Sequence, residues 1–193
     1  MTTTPQLARL QSELAALKAD ASKLVSGLRE SQFNWRPDQQ KWSMAECLLH
    51  LNIVGDRYVR ILETVLEQAK TRGFVAHGDF AVGFLGKWIL ANTEPPPKRR
   101  FKAARAFTPS YGQPITAVLP TFLHLQDQLT LEIERAKGLD LGRVKVPAPG
   151  LPLRFNLLLT LEWIAAHERR PLWQARLVRE NPAFPPAQRD QIA

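Results

Sequence analysis

Leu7, Leu10, Leu14, Leu17, Ala21, Leu24 and Leu28 follow one another at alternating steps of three and four residues. That spacing lays one apolar seam along a helix and predicts a first helix over 5–29. Thr4 can cap it, and Pro5 suits the first helical position. A second helix starts at Ser43, where Ser43-Met44-Ala45-Glu46 reads as a capping box and Trp42 and Cys47 take the staple positions. Its apolar face continues through Leu48, Leu51, Val54, Tyr58, Leu62, Val65 and Ala69 to a stop at Gly73. A shorter helix, weakened by Gly83 and Gly86, is predicted over 79–92.

The third long helix is predicted over 116–137, with Pro120 tolerable only near its first turn. Its apolar positions are Leu119, Phe122, Leu123, Leu129 and Ile133, and Gln126 is the odd one out among them. A proline-rich connection, Val146 to Pro152, leads to a fourth helix over 154–180, and Pro182 and Pro185-Pro186 end helical structure. Nothing reads as a hairpin, and no internal repeat is present. The expected fold is all-α: a single domain over 1–193, a four-helix bundle with long connections between helices two and three and between three and four. The first of these is long enough to cross the bundle.

The 193 residues have ordinary globular composition, 45% hydrophobic and 23% charged. No run reaches the roughly 18 apolar residues that span a bilayer. The start, Met1-Thr2-Thr3-Thr4-Pro5, lacks the basic and apolar regions of a signal peptide, and the lone Cys47 excludes an internal disulfide framework. A cytoplasmic, membrane-free protein is expected. Net charge is +8, and half of it falls between Glu94 and Ala106, which carry Lys98, Arg99, Arg100, Lys102 and Arg105. After Pro95-Pro96-Pro97 this run reads as a stiff solvated loop. No nucleic-acid module accompanies it, so a nucleic-acid partner is not expected.

Chemistry narrows to few residues. His50 lies on the second helix, about 75° from the centre of the apolar stripe, at the edge of the core. His167 opens His167-Glu168-Arg169-Arg170-Pro171, a His-Glu-x-x-His zinc pattern broken at its last position. Pro171 has no ligand atom and predicts a kink at 167–171. Cys47 reads as a small core residue; His77 and His124 read as surface or satisfied histidines.

Trp35-Arg36-Pro37, then Trp42-Ser43-x-x-Glu46-x-Leu48-x-His50-Leu51, then Ala166-His167-Glu168-Arg169-Arg170-x-Leu172-Trp173-Gln174, together resemble the DinB-like (YfiT-type) superfamily over nearly the whole chain. The resemblance implies an up-down-down-up four-helix bundle, often a homodimer. It implies a divalent metal, zinc or nickel, on three histidines, of which His50 and His167 match two and Pro171 replaces the third. It implies metal-dependent chemistry of the thiol S-transferase or hydrolase type, as in bacillithiol S-transferases and mycothiol-dependent maleylpyruvate isomerase, with a low-molecular-weight thiol or other small molecule as substrate. With the third ligand gone, the alternative is a non-catalytic binding module that has lost the metal. Any metal is expected to be weakly held, and to leave below about pH 6 as the imidazoles protonate.

Overall fold

The computed structural model describes residues 4–77, 80–97 and 103–186. It is mostly helical. Helix α1 spans Pro5–Val25, α2 Glu30–Phe33, α3 Met44–Thr71, α4 Phe84–Thr93, α5 Ile115–Arg135 and α6 Leu157–Arg179. A 3-10 turn, Arg105–Phe107, precedes α5. Among the described residues, no helix is long and apolar enough to cross a membrane.

The leucine seam of α1 is buried from Leu7 to Leu24, as its spacing requires. The helix ends at Val25, four residues before the expected end. Gly27 adopts φ 73, a conformation that stops the helix, and α2 then starts afresh. Leu28, placed on the seam by its spacing, lies beyond the helix and still packs against the core. Helix α3 starts at the predicted box: Glu46 N–H donates to Ser43 Oγ at 3.2 Å, and Ser43 N–H donates to Glu46 Oε2 at 2.9 Å. Arg36 adds a second partner, with Nε 2.7 Å from Glu46 Oε2 and its Nη2 bonded to Oε1. Arg36 of the Trp35-Arg36-Pro37 motif thus clamps the start of α3.

Three expectations need correction. The short helix starts at Phe84 rather than 79, with Gly83 as its N-cap; Asp79 lies outside the described residues. A hairpin exists where none was expected: β1, Lys145–Pro147, pairs antiparallel with β2, Arg154–Asn156, with Val146 opposite Phe155. Three-residue strands split by a proline-rich turn carry no legible alternation. The fourth helix accordingly starts at Leu157, capped by the Asn156 side chain, which accepts from Leu159 N–H at 2.8 Å. Neither internal proline breaks its helix. Pro120 sits in the second turn of α5 at an exposed position, and α6 runs unbroken through a buried Pro171. Lys98, Arg99, Arg100 and Lys102 of the basic run lie outside the described residues.

Side-chain pairs give the relative helix directions. Arg9 pairs with Glu162, Glu13 with Arg169, and Asp20 with Arg176, so α1 runs parallel to α6. Gln11 pairs with Glu134 and Lys18 with Asp127, so α1 and α5 are antiparallel. His50 meets His167 and Tyr58 meets Trp163, so α3 and α6 are antiparallel. Asn52 donates to the Val118 carbonyl at 2.9 Å and Glu67 pairs with Arg135, so α3 and α5 are parallel. The core between these four helices is built from Leu10, Leu14, Leu48, Leu62, Phe122, Leu129 and Leu158, all nearly inaccessible.

Candidate metal centre

Consecutive residues on a helix point about 100° apart. Three of them on α6 use that rotation to reach three different neighbours. His167 meets His50 on α3. Glu168 accepts from Gln126 Nε2 on α5 at 3.0 Å. Arg169 donates to Glu13 on α1 at 3.1 Å and, through Nε, to Glu94 just past α4 at 2.8 Å. The His-Glu-Arg run thus joins α6 to α3, α5, α1 and the end of α4 within one turn.

His50 Nε2 and His167 Nε2 lie 3.4 Å apart. His50 is 7% exposed, and its Nδ1 is 2.8 Å from the Phe107 carbonyl. A carbonyl only accepts, so this contact assigns the proton to Nδ1 and leaves a lone pair on Nε2 facing His167. Aromatic rings enclose the pair. Trp163, one turn before His167, stacks on it with centroids 4.7 Å apart, and Trp42 lies 5.1 Å from His50. Tyr58 continues the row against Trp163 at 5.4 Å.

Electrostatics follow from this enclosure. Burial lowers the basicity of His50 against the upward pull of the Phe107 carbonyl. Burial, with His50 and Arg170 as neighbouring bases, lowers His167 to about 3. Both imidazoles are neutral across physiological pH, the form that donates a lone pair to a cation. Protonation of His167 therefore lies well below the pH 6 expected of an ordinary histidine. Two imidazoles bound tetrahedrally, with bonds of about 2.0–2.1 Å, hold their nitrogens about 3.3–3.4 Å apart, the separation seen here.

The two histidines singled out from the sequence are thus brought together. The other candidates are not. Cys47 is fully buried, and burial followed by the neighbouring Glu46 raises its thiol pKa far above neutrality, so it is a core residue. No group of three or more His, Cys, Asp or Glu able to hold a metal occurs among the described residues.

One family match takes in both the capped start of α3 and the His-Glu-Arg run of α6. The chain matches the DinB superfamily over residues 13–175. It belongs to the DinB superfamily. No curated protein and no solved structure matches it. Within this DinB-superfamily chain, sequence reasoning missed Phe107 and Trp163 at the site. Trp163 was legible as the residue four before His167, on the same helix face. Phe107 was not, because its backbone carbonyl acts and any residue type supplies one. Gln126, the outlier of the third apolar stripe, is explained by Glu168: it is a buried polar residue facing a buried polar partner.

Proposed function

We propose that this DinB-superfamily chain is a metal-dependent enzyme of the thiol S-transferase or hydrolase type, working through a two-histidine site that lacks its third ligand. The observation that carries the reading is the pair of Nε2 atoms 3.4 Å apart, with His50 anchored through Nδ1 to the Phe107 carbonyl. His50 and His167 fit two positions of a zinc or nickel site, and Pro171 supplies no donor. When bound, a divalent cation there supplies the Lewis acidity that deprotonates a thiol or water near neutral pH. The chain's own residues do the rest. Phe107 fixes the His50 tautomer, burial keeps both rings neutral, and Trp42 and Trp163 pack against them. The substrate class of this reading is a low-molecular-weight thiol or another small molecule.

The helix directions support an up-down-down-up four-helix bundle as the frame of this site. A cytoplasmic homodimer associating through the flank of the bundle belongs to the same reading, and light scattering at micromolar concentration tests it.

One observation favours a second reading, a binding module that has lost its metal. With Nδ1–H of His50 given to Phe107, His50 Nε2 can accept from His167 Nε2–H, which partners the two rings without any ion. Elemental analysis of protein purified without a metal-affinity tag, before and after incubation with zinc or nickel, separates the two. The enzyme reading expects about one equivalent that His50→Ala abolishes. Absence of metal after incubation selects the module.

A further inference from the structure

The backbone that supplies the Phe107 carbonyl is one short 3-10 turn. Its internal bonds use the carbonyls that come before Phe107. Phe107 N–H donates to the Ala104 carbonyl at 2.8 Å, and Thr108 N–H donates to that of Arg105 at 3.3 Å. The Phe107 carbonyl ends the turn, where a carbonyl has no partner inside the helical segment. His50 Nδ1–H takes it at 2.8 Å. A lone 3-10 turn has poor hydrogen-bond geometry and little hold on its own shape. The Phe107 side chain has to anchor it.

Two neighbours hold that side chain, and the ring also packs against the core. The guanidinium carbon of Arg57 lies 5.0 Å from the centre of the Phe107 ring, within cation–π range. The turn of the β1–β2 hairpin meets the ring at Cε2: a Cβ on Gly150, which adopts φ 79, would lie 3.5 Å from that atom. Arg57 stands seven residues after His50 on α3, two turns along nearly the same side of the helix. One helix therefore presents both the imidazole that takes the Phe107 carbonyl and the cation that holds the Phe107 ring. Neutral imidazole carries its proton on either nitrogen, and the bond made by one nitrogen decides the state of the other. If the carbonyl is withdrawn, the proton is free to move to Nε2, the atom that faces His167.

We propose that Arg57 is a positioning residue: its grip on the Phe107 ring keeps the Phe107 carbonyl on His50 Nδ1, and so keeps the Nε2 lone pair turned to His167. The inference rests on the two-histidine reading for its consequence at the site. The place of the proton is measured in metal-free protein, so failure here and failure of metal binding are told apart.

Nuclear magnetic resonance of the full, metal-free chain, with its histidines labelled with nitrogen-15, tests this. The His50 ring is assigned by the signals that His50→Asn removes. It is expected to carry its proton on Nδ1 and to exchange it slowly with water. Exchange of a buried proton reports how often the local structure opens. A cation–π contact at an exposed site changes such an equilibrium by a factor of about two to five. Arg57→Gln, which keeps most of the stem and loses the charge, is therefore expected to speed this exchange by about two- to fivefold. Arg57→Lys keeps a cation over the ring and is expected to stay near the parent. Phe107→Ala keeps the carbonyl and frees it from both neighbours, and is expected to speed exchange more than Arg57→Gln does. Backbone amides in the core of α6 serve as the control and are expected to keep their parental rates. The proposal is overturned if the parent carries the His50 proton on Nε2, or if Arg57→Gln exchanges it at the parental rate. It is also overturned if Arg57→Lys is as fast as Arg57→Gln, or if the α6 amides speed up in step, which would mean a general loosening of the fold.

Discussion

His167 and Glu168 are neighbours on α6, and each faces one polar partner on a different helix. His167 faces His50 on α3, and Glu168 faces Gln126 on α5. Burial acts on both in the same sense, toward the neutral form, and the consequences diverge. Neutrality makes the imidazole a lone-pair donor. It makes the carboxyl a poor one: burial raises Glu168 to about 7, against the opposing pull of its Gln126 bond and of Arg169. The partners differ too. The histidine pair can satisfy its facing nitrogens by choice of tautomer, whereas Glu168 Oε2 and Gln126 Oε1 are buried with no hydrogen-bond partner. One turn of helix thus holds a site suited to a ligand beside a site under electrostatic tension. The acidic residue next to the histidine is turned to α5 and is not a third ligand.

The largest change to this contrast comes from Pro171→His, which places an imidazole one turn after His167. Zinc or nickel affinity is expected to rise by at least about two orders of magnitude, measured by competition with a chromophoric chelator. No rise would remove the open third position from the proposed site.

Glu168→Gln tests the other half. The folded pKa of Glu168 lies above its ordinary value of 4.5, so the folded chain holds the proton more tightly than the unfolded one. The stability it contributes is complete below about pH 4.5 and is lost as pH rises through about 7. At pH 8 the glutamine variant is therefore expected to be more stable by about 3 kcal/mol, with little difference at pH 4. Urea unfolding at the two pH values reads this. An equal effect at both would mean that the carboxyl carries no folding-linked proton.

Gln126→Ala removes the donor that Glu168 does have. A buried acceptor left without it costs about 1–3 kcal/mol, and the cost should be greatest above pH 7, where the carboxyl is charged. The Glu168→Gln background should reduce it, and a double-mutant cycle measures the coupling.

The smallest expected effect is on the acid side. His167 is depressed below its ordinary 6.5, so its contribution is complete above that pH and is lost as pH falls toward about 3. His167 keeps some solvent exposure where Glu168 keeps almost none, and solvent screening makes this slope shallower than that of Glu168. His167→Asn should flatten the stability curve between pH 6 and 4.

Much of this was legible in the chain. Apolar periodicity located the long helices because a helix repeats its face every few residues, so each stripe is read many times over. The Ser43-Glu46 box placed the start of α3 because both halves of a cap lie within one turn. Those local signals also put His50 and His167 on the helices that carry them. The tertiary structure decided what no local signal contains. The hairpin of 145–156 depends on pairing across a proline-rich turn. The 3.4 Å approach of two imidazoles 117 residues apart depends on how α3 packs on α6. The tautomer of His50 depends on a carbonyl brought from the turn before α5. Local geometry belongs to short stretches of sequence and is written there. Ligand distances, burial and the pKa values that follow from them belong to the packing of distant segments, and packing determined them here.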